Sequence, residues 1–570
     1  MNYIKKIKLF YFSVIYTSPS KLLNRLKLIF KRKLLVILFN NHPNIMLNNK
    51  ILERNKEFLG NKLYNKEKNF KKTKDGYVFT FLNKEYAFDA DFDWHKDILN
   101  NGTRLWKLNL HYFQWVINLS DEDFQFFIKD WIKKNKPYKK NYWLDSWNSY
   151  ALSIRTYTWI NEILKREKNL DKNFISATNQ SIVDQISFLS NNLENDIGGN
   201  HIIKNIKALY YASFYFKGSK PNSWQKIADN LLKVELKKQI LDDGFHFELS
   251  PAYHCQVFDD LIDCYIVLEE SNLKKELSSK LKKMKIVIEA FTHSDEKISL
   301  FNDGGINMTP SPIDLLQKYN GIFNSENTVK KKYLPFKDAG YYVIKNDLLH
   351  FIYDSGIVGP NELPAHSHGD IFSFELSVKK QRVFIDAGVF EYNAGQKRTE
   401  SRATKSHNTL TINDLDQCDF WSSFRMGKRA KVKINEVIYN EDSFYINSHH
   451  DGYALMNGKP IHKREIECSM GGTFNITDHV IGGMGQTVKS RLLVHPAVKL
   501  KLKNANEVGL KSKDFTIKII SNIKNISIEP ALWWPNFGEE LETKRIVFNH
   551  GLAPCKSNFK IFIEEKTAVI

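Results

Sequence analysis

GYYVIKNDLLHFIYDSG (residues 340–356) is where the chain changes character. Residues 341–344 and 348–353 are β-branched and aromatic, Asn346 and Asp347 part them, and Asp354-Ser355-Gly356 closes the second run, which together reads strand, turn, strand. The texture repeats downstream in FSFELSV (372–378), RVFIDAGVF (382–390), HNTLTIND (407–414), RAKVKINEVIY (429–439), SFYINSHHDG (443–452), GTFNITDHVIG (472–482) and FKIFIEE (559–565). Short β segments between Gly, Asn and Asp turns predict an antiparallel β-sandwich over about 330–570.

Upstream the period is different. Ser120 and Asp123 have the spacing of a capping box, and Phe124, Phe127, Ile128, Trp131 and Ile132 then recur at i, i+3, i+4, i+7 and i+8, one face of a helix. Similar stripes run through Ile182, Ile186, Leu189 and Leu193, and through Ile202, Ile206 and Leu209. Helix follows helix with no strand between. The expected class is α+β and multidomain: an N-terminal (α/α) toroid followed by a C-terminal antiparallel β-sandwich. The expected regions are 1–85, basic and amphipathic; 86–325, helical; and 326–570, β.

Bulk properties narrow the function. At 570 residues the chain exceeds one ordinary core, and 42% hydrophobic with 26% charged residues excludes a disordered chain. The net charge of +19 favours an anionic partner, whether nucleic acid, an anionic membrane or an acidic polymer. Dispersed basic residues and the lack of a recognition module speak against nucleic acid. Five cysteines without CxxC spacing indicate neither a disulfide framework nor a thiolate zinc site. No apolar run approaches the roughly 18 residues of a membrane span. The start, MNYIKKIKLFYFSVIYTSPS, has a basic head and a short apolar stretch but no clear cleavage site. KLLNRLKLIFKRKLLVILF (21–39) continues as a basic amphipathic segment. A cleaved export signal and a retained surface helix both stay open, the second giving peripheral membrane contact through residues 1–40.

Four stretches carry chemistry. In PAHSHGDIFSFEL (364–376), read as the mouth of a strand, alternate side chains share a face, so His366, His368 and Asp370 are expected in one space, Asp370 as a local hydrogen-bond partner. With Asp386 and His407 from later β segments, His368 makes a three-ligand set suited to zinc. WLDSWNSYALSIRTYTW (143–159) mixes aromatic and polar residues around Arg155; its tryptophans either fill a helical core or face sugar rings. In ENDIGGNHIIKNIKAL (194–209) two glycines precede Asn200 and His201 at a helix start, where Asn200 is either a simple cap or an amide aimed at an anion. In DDGFHFELSPAYHCQVFDDLIDCY (242–265), Tyr253 sits in an expected loop before a helix, either structural or a proton carrier.

In this order W-N-S-Y-A-L-S-I-R, G-G-N-H, S-P-A-Y-H, H-S-H-G-D-I-F-S-F and R-x3-R-x4-H-N-T resemble the heparinase II/III-like polysaccharide lyases, across about residues 90–430. The resemblance implies a toroid followed by a β-sandwich, and cleavage of an acidic, uronate-containing polysaccharide by β-elimination. It implies Asn200 as carboxylate neutraliser, Tyr253 as proton carrier and His366 as second acid/base. It also implies one structural zinc per chain on His368, Asp386 and His407. Arg155, Arg398 and Arg402 suit the substrate's acidic groups, and Trp147 and His201 are expected beside them. One departure stands out: some members have an acid shortly after the Asn-His pair, where this chain has Lys204 and Asn205. The first eighty residues look like those of relatives in bacterial capsule or exopolysaccharide production. The family implies the periplasm, with the cytoplasmic face of the inner membrane as alternative. Two rivals remain: a glycoside hydrolase drawing two carboxylates from Asp145, Asp242, Asp243 and Glu248, and a non-catalytic polysaccharide-binding protein.

Overall fold

The computed structural model describes residues 3–41, 49–63, 69–96, 103–325 and 332–566. The expected boundary at 325/326 and the end of the last region therefore fall on residues, 326–331 and 567–570, outside the described ones. Two helices open the chain, α1 (Tyr3–Ile15) and α2 (Pro19–Phe39). A three-stranded antiparallel sheet follows, Phe70–Lys72, Gly76–Phe81 and Lys84–Asp89, lying across residue 85. The sequence reading missed it because its tight turn uses Leu82 and Asn83, both at positive φ (54° and 56°), and leucine is no turn signal.

The helices continue as α3 (Arg104–Tyr112), α4 (Asp121–Lys134), α5 (Ser149–Arg166), α6 (Lys172–Ser190), α7 (Asn200–Tyr215), α8 (Ser219–Gln239), α9 (Pro251–Val267), α10 (Asn272–Phe291) and α11 (Pro312–Phe323), with no strand between them among the described residues. The start of α4 follows its sequence signature: Ser120 Oγ accepts from the Asp123 amide at 3.1 Å, and Phe124, Phe127, Ile128 and Trp131 are buried.

After α11 the chain is β-rich, so the helical-then-β class stands. One sheet runs, neighbour to neighbour, Ile526–Trp533, Leu541–Leu552, Thr487–Val494, Gln381–Phe384, Phe374–Val378, Leu349–Asp354, Tyr341–Lys345 and Tyr333–Phe336, with Leu410–Ile412 also on Thr487–Val494. The other runs Val432–Tyr439, Ser443–His450, Ile461–Ser469, Thr473–Ile481, Cys555–Glu565, Phe515–Ser521, Glu507–Lys511 and Lys499–Asn504. The pairings within both are antiparallel. Their inner faces meet in one core, where Phe351 packs on Phe474 (5.0 Å between centroids) and Phe548 stacks on Phe559 (4.5 Å). Burying each such ring contributes about 1.5–3 kcal/mol.

The chain forms two compact units, and neither is a single stretch. One gathers residues 1–16, 240–256 and 282–570; the other gathers 17–239 and 257–281. Residues 240–256, which include the start of α9, and 282–312, which include the end of α10, thus belong to the same unit as the sandwich, which brings Tyr253 and His366 into one body.

Candidate active site and metal centre

The Ser-Pro before Tyr253 starts a helix earlier than the sequence suggested: α9 begins at Pro251, so Tyr253 lies in its first turn and not in a loop. Ser250 is the reason. Its Oγ accepts from the Tyr253 amide at 3.2 Å and donates to the Asp303 carbonyl at 2.6 Å, fastening this helix start to the loop 301–305. A side chain at position 304 would break that contact, because a Cβ there would stand 2.9 Å from the Cβ of Ala252; Gly304 permits the approach.

Asp303 is the hub that sequence reasoning missed. Fully buried, its Oδ2 accepts from Arg398 Nη2 and from His366 Nδ1, each at 2.9 Å. Its Oδ1 accepts from His368 Nε2 at 2.9 Å and from Arg398 Nη1. All four lone-pair sites of the carboxylate are thus used. Burial alone would raise its pKa, but the Arg398 guanidinium and the two imidazoles hold it well below the usual carboxylate range. An ionised Asp303 fixes the tautomer of His366: Nδ1 carries the hydrogen, and Nε2 is left to take or give a proton. Glu248 Oε2 stands 3.4 Å from that Nε2.

The ring of Tyr253 stacks on His366, centroids 3.8 Å apart and planes inclined by 28°. The Tyr253 hydroxyl shares a hydrogen bond of 2.9 Å with the hydroxyl of Tyr392, a second residue that the sequence reading did not pick out. Tyr392 packs edge-on against Phe537 and Phe424, under the Arg398 guanidinium at 5.0 Å. Burial pushes its phenol well above the ordinary value, so it stays protonated and able to donate to Tyr253.

The expected strand register at 366–370 is corrected. Residues 364–366 form a single 3-10 turn and the strand starts only at Phe374. His366 and His368 still share a target because both reach Asp303, His368 being positioned by its amide on Asn302 Oδ1 at 2.9 Å. Asp370 meets no side-chain donor; the backbone amides of Asp370 and Asn302 favour its charged form, but burial outweighs them and pushes its pKa up to about 6.

Arg398 and Arg402 lie on the short helix α12 (Gln396–Arg402) and are sealed inside, each 1% exposed. Arg398 is spent on Asp303 and the carbonyls of Ala365 and Ser423. Arg402 donates to the carbonyls of Ser367, Ser423 and Arg425, and burial, with Arg398 nearby, lowers its pKa to about 9. Expected on substrate, they instead knit the loops that carry His366.

His368, Asp386 and His407 each offer a ligand atom, and these atoms lie within 4.8 Å of one another, all buried. His407 Nδ1 rests on Asp386 Oδ2 at 2.8 Å, which leaves its Nε2 without a protein partner; His368 Nδ1 is likewise unmatched. Burial lowers His368 to about 4, and it also pulls at His407, whose pKa Asp386 nonetheless raises. Two buried imidazoles with an unmatched nitrogen and an adjoining carboxylate are a donor set that fits a divalent cation. A second acidic group, Asp259, Asp260 and Asp263, is already compensated: Lys204 reaches Asp260 at 2.7 Å, and Lys207 reaches Asp260 and Asp263 at 2.9 and 2.6 Å.

In the other unit, Asn200 is the first residue of α7, and Gly198 and Gly199 precede it at φ of 74° and 59°, a bend that favours glycine. His201 packs against Tyr150, centroids 4.5 Å apart and rings inclined by 45°, and pairs through Nδ1 with Glu194 at 3.0 Å. Glu194 also accepts from Asn205 at 3.1 Å, so the acid beside this histidine comes from the loop before it. Two expectations are corrected here. Trp147 is 3% exposed, its Nε1 on the Asn135 carbonyl and its ring against Phe188. Arg155 is fully buried, stacked 3.9 Å over Trp131 and bonded to Gln185 and the His111 carbonyl. Both are core, because α5 is buried on nearly every side and offers no outward platform.

Fold and site define a class: a helical array and an antiparallel β-sandwich carrying a buried tyrosine–histidine pair beside a metal-suited cluster. The profile of "Heparinase II/III N-terminus" matches residues 20–331, and that of "Heparinase II/III-like, C-terminal" matches 328–561. The chain belongs to the heparinase II/III family. It is 26% identical over 330 residues to the heparin-sulfate lyase of Bacteroides thetaiotaomicron, spanning 50% of this chain and 47% of the relative. To that of Pedobacter heparinus it is 25% identical over 240 residues, 38% and 36% of the two chains. The matched regions thus span less than half the length of either relative. Among solved structures, heparinase III superposes with a TM-score of 0.70 at 19% identity, over 84% of this chain and 80% of that one. The heparan sulfate lyase of Pedobacter heparinus gives 0.60 at 18%, over 85% and 80%. At these identities the superpositions speak for the fold.

Proposed function

We propose that the protein is a polysaccharide lyase that cleaves an acidic, uronate-containing polysaccharide by β-elimination. The observation that carries this reading is the stacked Tyr253–His366 pair, one ring held by Asp303 and the other hydrogen-bonded to Tyr392. Its relatives' activity on heparin sulfate supports the substrate class. In the reaction the proton on C5, alpha to the carboxylate, is removed, the C4–O bond breaks, a C4–C5 double bond forms and the departing oxygen takes a proton. His366 Nε2 and the Tyr253 hydroxyl supply the base and the acid; which abstracts is set by the C5 epimer. The bond from His366 Nδ1 to Asp303 orients the imidazole. Asn200 opens α7, where an amide and the positive end of the helix suit an anionic group.

A hydrolase would need two free carboxyl groups flanking the bond. Of the four carboxylates that reading draws on, Asp243 is committed to the amides of Phe245, Asp338 and Ala339. His368, Asp386 and His407 would hold one structural zinc, whose bonds, when present, tie the loop of His366 to the sandwich.

Mass spectrometry of the digest tests the reading. Elimination adds no water, so the fragment masses sum to the mass of the substrate; sums larger by one water per cut would overturn it.

A further inference from the structure

Helix α2 turns its apolar side outward. None of its residues is buried, and Leu26, Phe30 and Ile37 are 64%, 70% and 79% exposed. With Leu23, Ile29 and Leu34, also exposed, they fall at helical spacing on a single stripe. The opposite side is the anchored one: Lys31 Nζ donates to the Asn191 carbonyl at 2.8 Å, and Lys21 Nζ to that of Ile197 at 3.5 Å. Arg25 and Lys27 border the stripe, and Lys33 stands within it, all three exposed. No Asp or Glu occurs before Glu53. Helix α1 has its own exposed stripe, Ile7, Phe10, Tyr11, Val14 and Ile15, at i, i+3, i+4, i+7 and i+8.

We propose that the outward side of α2 is a docking surface for an anionic lipid bilayer, on which the helix lies in the plane of the headgroups. This does not rest on the proposed lyase reaction. A basic helix with exposed large apolar residues meets both needs of that surface, acyl contact and headgroup charge, and Lys33 snorkels from within the stripe. The alternatives fit less well. A second copy of α2 would bring Arg25, Lys27 and Lys33 against their equivalents with no acid between them, and an acidic polymer would leave the leucines and Phe30 in water. The helix does not span: among the described residues no helix is long and apolar enough to cross a membrane.

The full chain, incubated with sedimentable vesicles, tests this. Vesicles of phosphatidylcholine with one third phosphatidylglycerol should carry it down on the order of 100-fold more tightly than phosphatidylcholine alone, as expected for three cations at a charged surface, and salt should weaken the binding. Leu26→Glu/Phe30→Glu/Ile37→Glu should abolish sedimentation and leave the thermal midpoint in place, because all three side chains are exposed. Arg25→Ser/Lys27→Ser/Lys33→Ser should remove the preference for anionic lipid. A native chain left in the supernatant with anionic vesicles would overturn the proposal. So would a triple glutamate variant that still binds them, or lipid-free self-association that the glutamates abolish.

Discussion

The imidazole of His366 and the phenol of Tyr253 lie face to face with centroids 3.8 Å apart, although 113 positions separate them in the chain. Two different anchors set this contact: Asp303 holds the imidazole through Nδ1, and Ser250, capping α9, fixes the start of the helix that carries the phenol. The proposed elimination would use both groups, which makes the hydroxyl of Tyr253 the most informative atom to remove.

Tyr253→Phe should lower turnover by about 10²–10⁴-fold, the usual contribution of a general acid–base group, with little change in stability. The ring stack survives and the bond to Tyr392 is lost. Turnover near the native rate in a folded Tyr253→Phe protein would remove the tyrosine from the chemistry.

Asp303→Asn should destabilise the fold by about 3–5 kcal/mol, because it leaves Arg398 buried without its counter-charge. It also removes the carboxylate on which His366 Nδ1 and His368 Nε2 rest, so turnover should fall together with stability. A denaturant midpoint equal to the native one would show that the hub is replaceable.

His254 and His246 give stability a definite pH dependence. Burial lowers them to about 3 and about 4, against about 6.5 in an unfolded chain. Between those values the unfolded chain binds protons that the folded chain refuses, so stability is fully present above pH of about 6.5 and falls as pH drops towards the folded pKa values. Each histidine contributes up to about 1.4 kcal/mol per pH unit in that window. Urea midpoints at pH 7.5 and pH 5 measure it, and equal midpoints would contradict the burial of the two neutral rings.

Chelation should lower the thermal midpoint of a metal-loaded chain, and His368→Ala should lower both midpoint and metal content, towards none from about one zinc per chain. Protein isolated without chelators and free of metal by elemental analysis would leave His368, Asp386 and His407 as an ordinary buried polar cluster.

The alternation of periods made the two architectures legible, since i, i+3, i+4 stripes and short β runs report which faces are buried. The stack of Tyr253 on His366 joins two motifs that the sequence singled out separately. Asp303 was not legible, because Asn-Asp-Gly-Gly reads as a turn and its partners stand 63, 65 and 95 positions away, beyond any local pattern. Trp147 and Arg155 were misplaced for a related reason. A helix buried on all sides loses amphipathic contrast, so polar residues bonded inside a core look like residues facing a ligand.

The most direct measurement counts double bonds against cuts. During digestion of a uronate-containing polysaccharide, elimination creates one unsaturated uronate, absorbing in the ultraviolet, for every new reducing end. The account predicts a ratio of one with the native chain, and both signals falling together with Tyr253→Phe. New reducing ends that accumulate without the ultraviolet signal would contradict it.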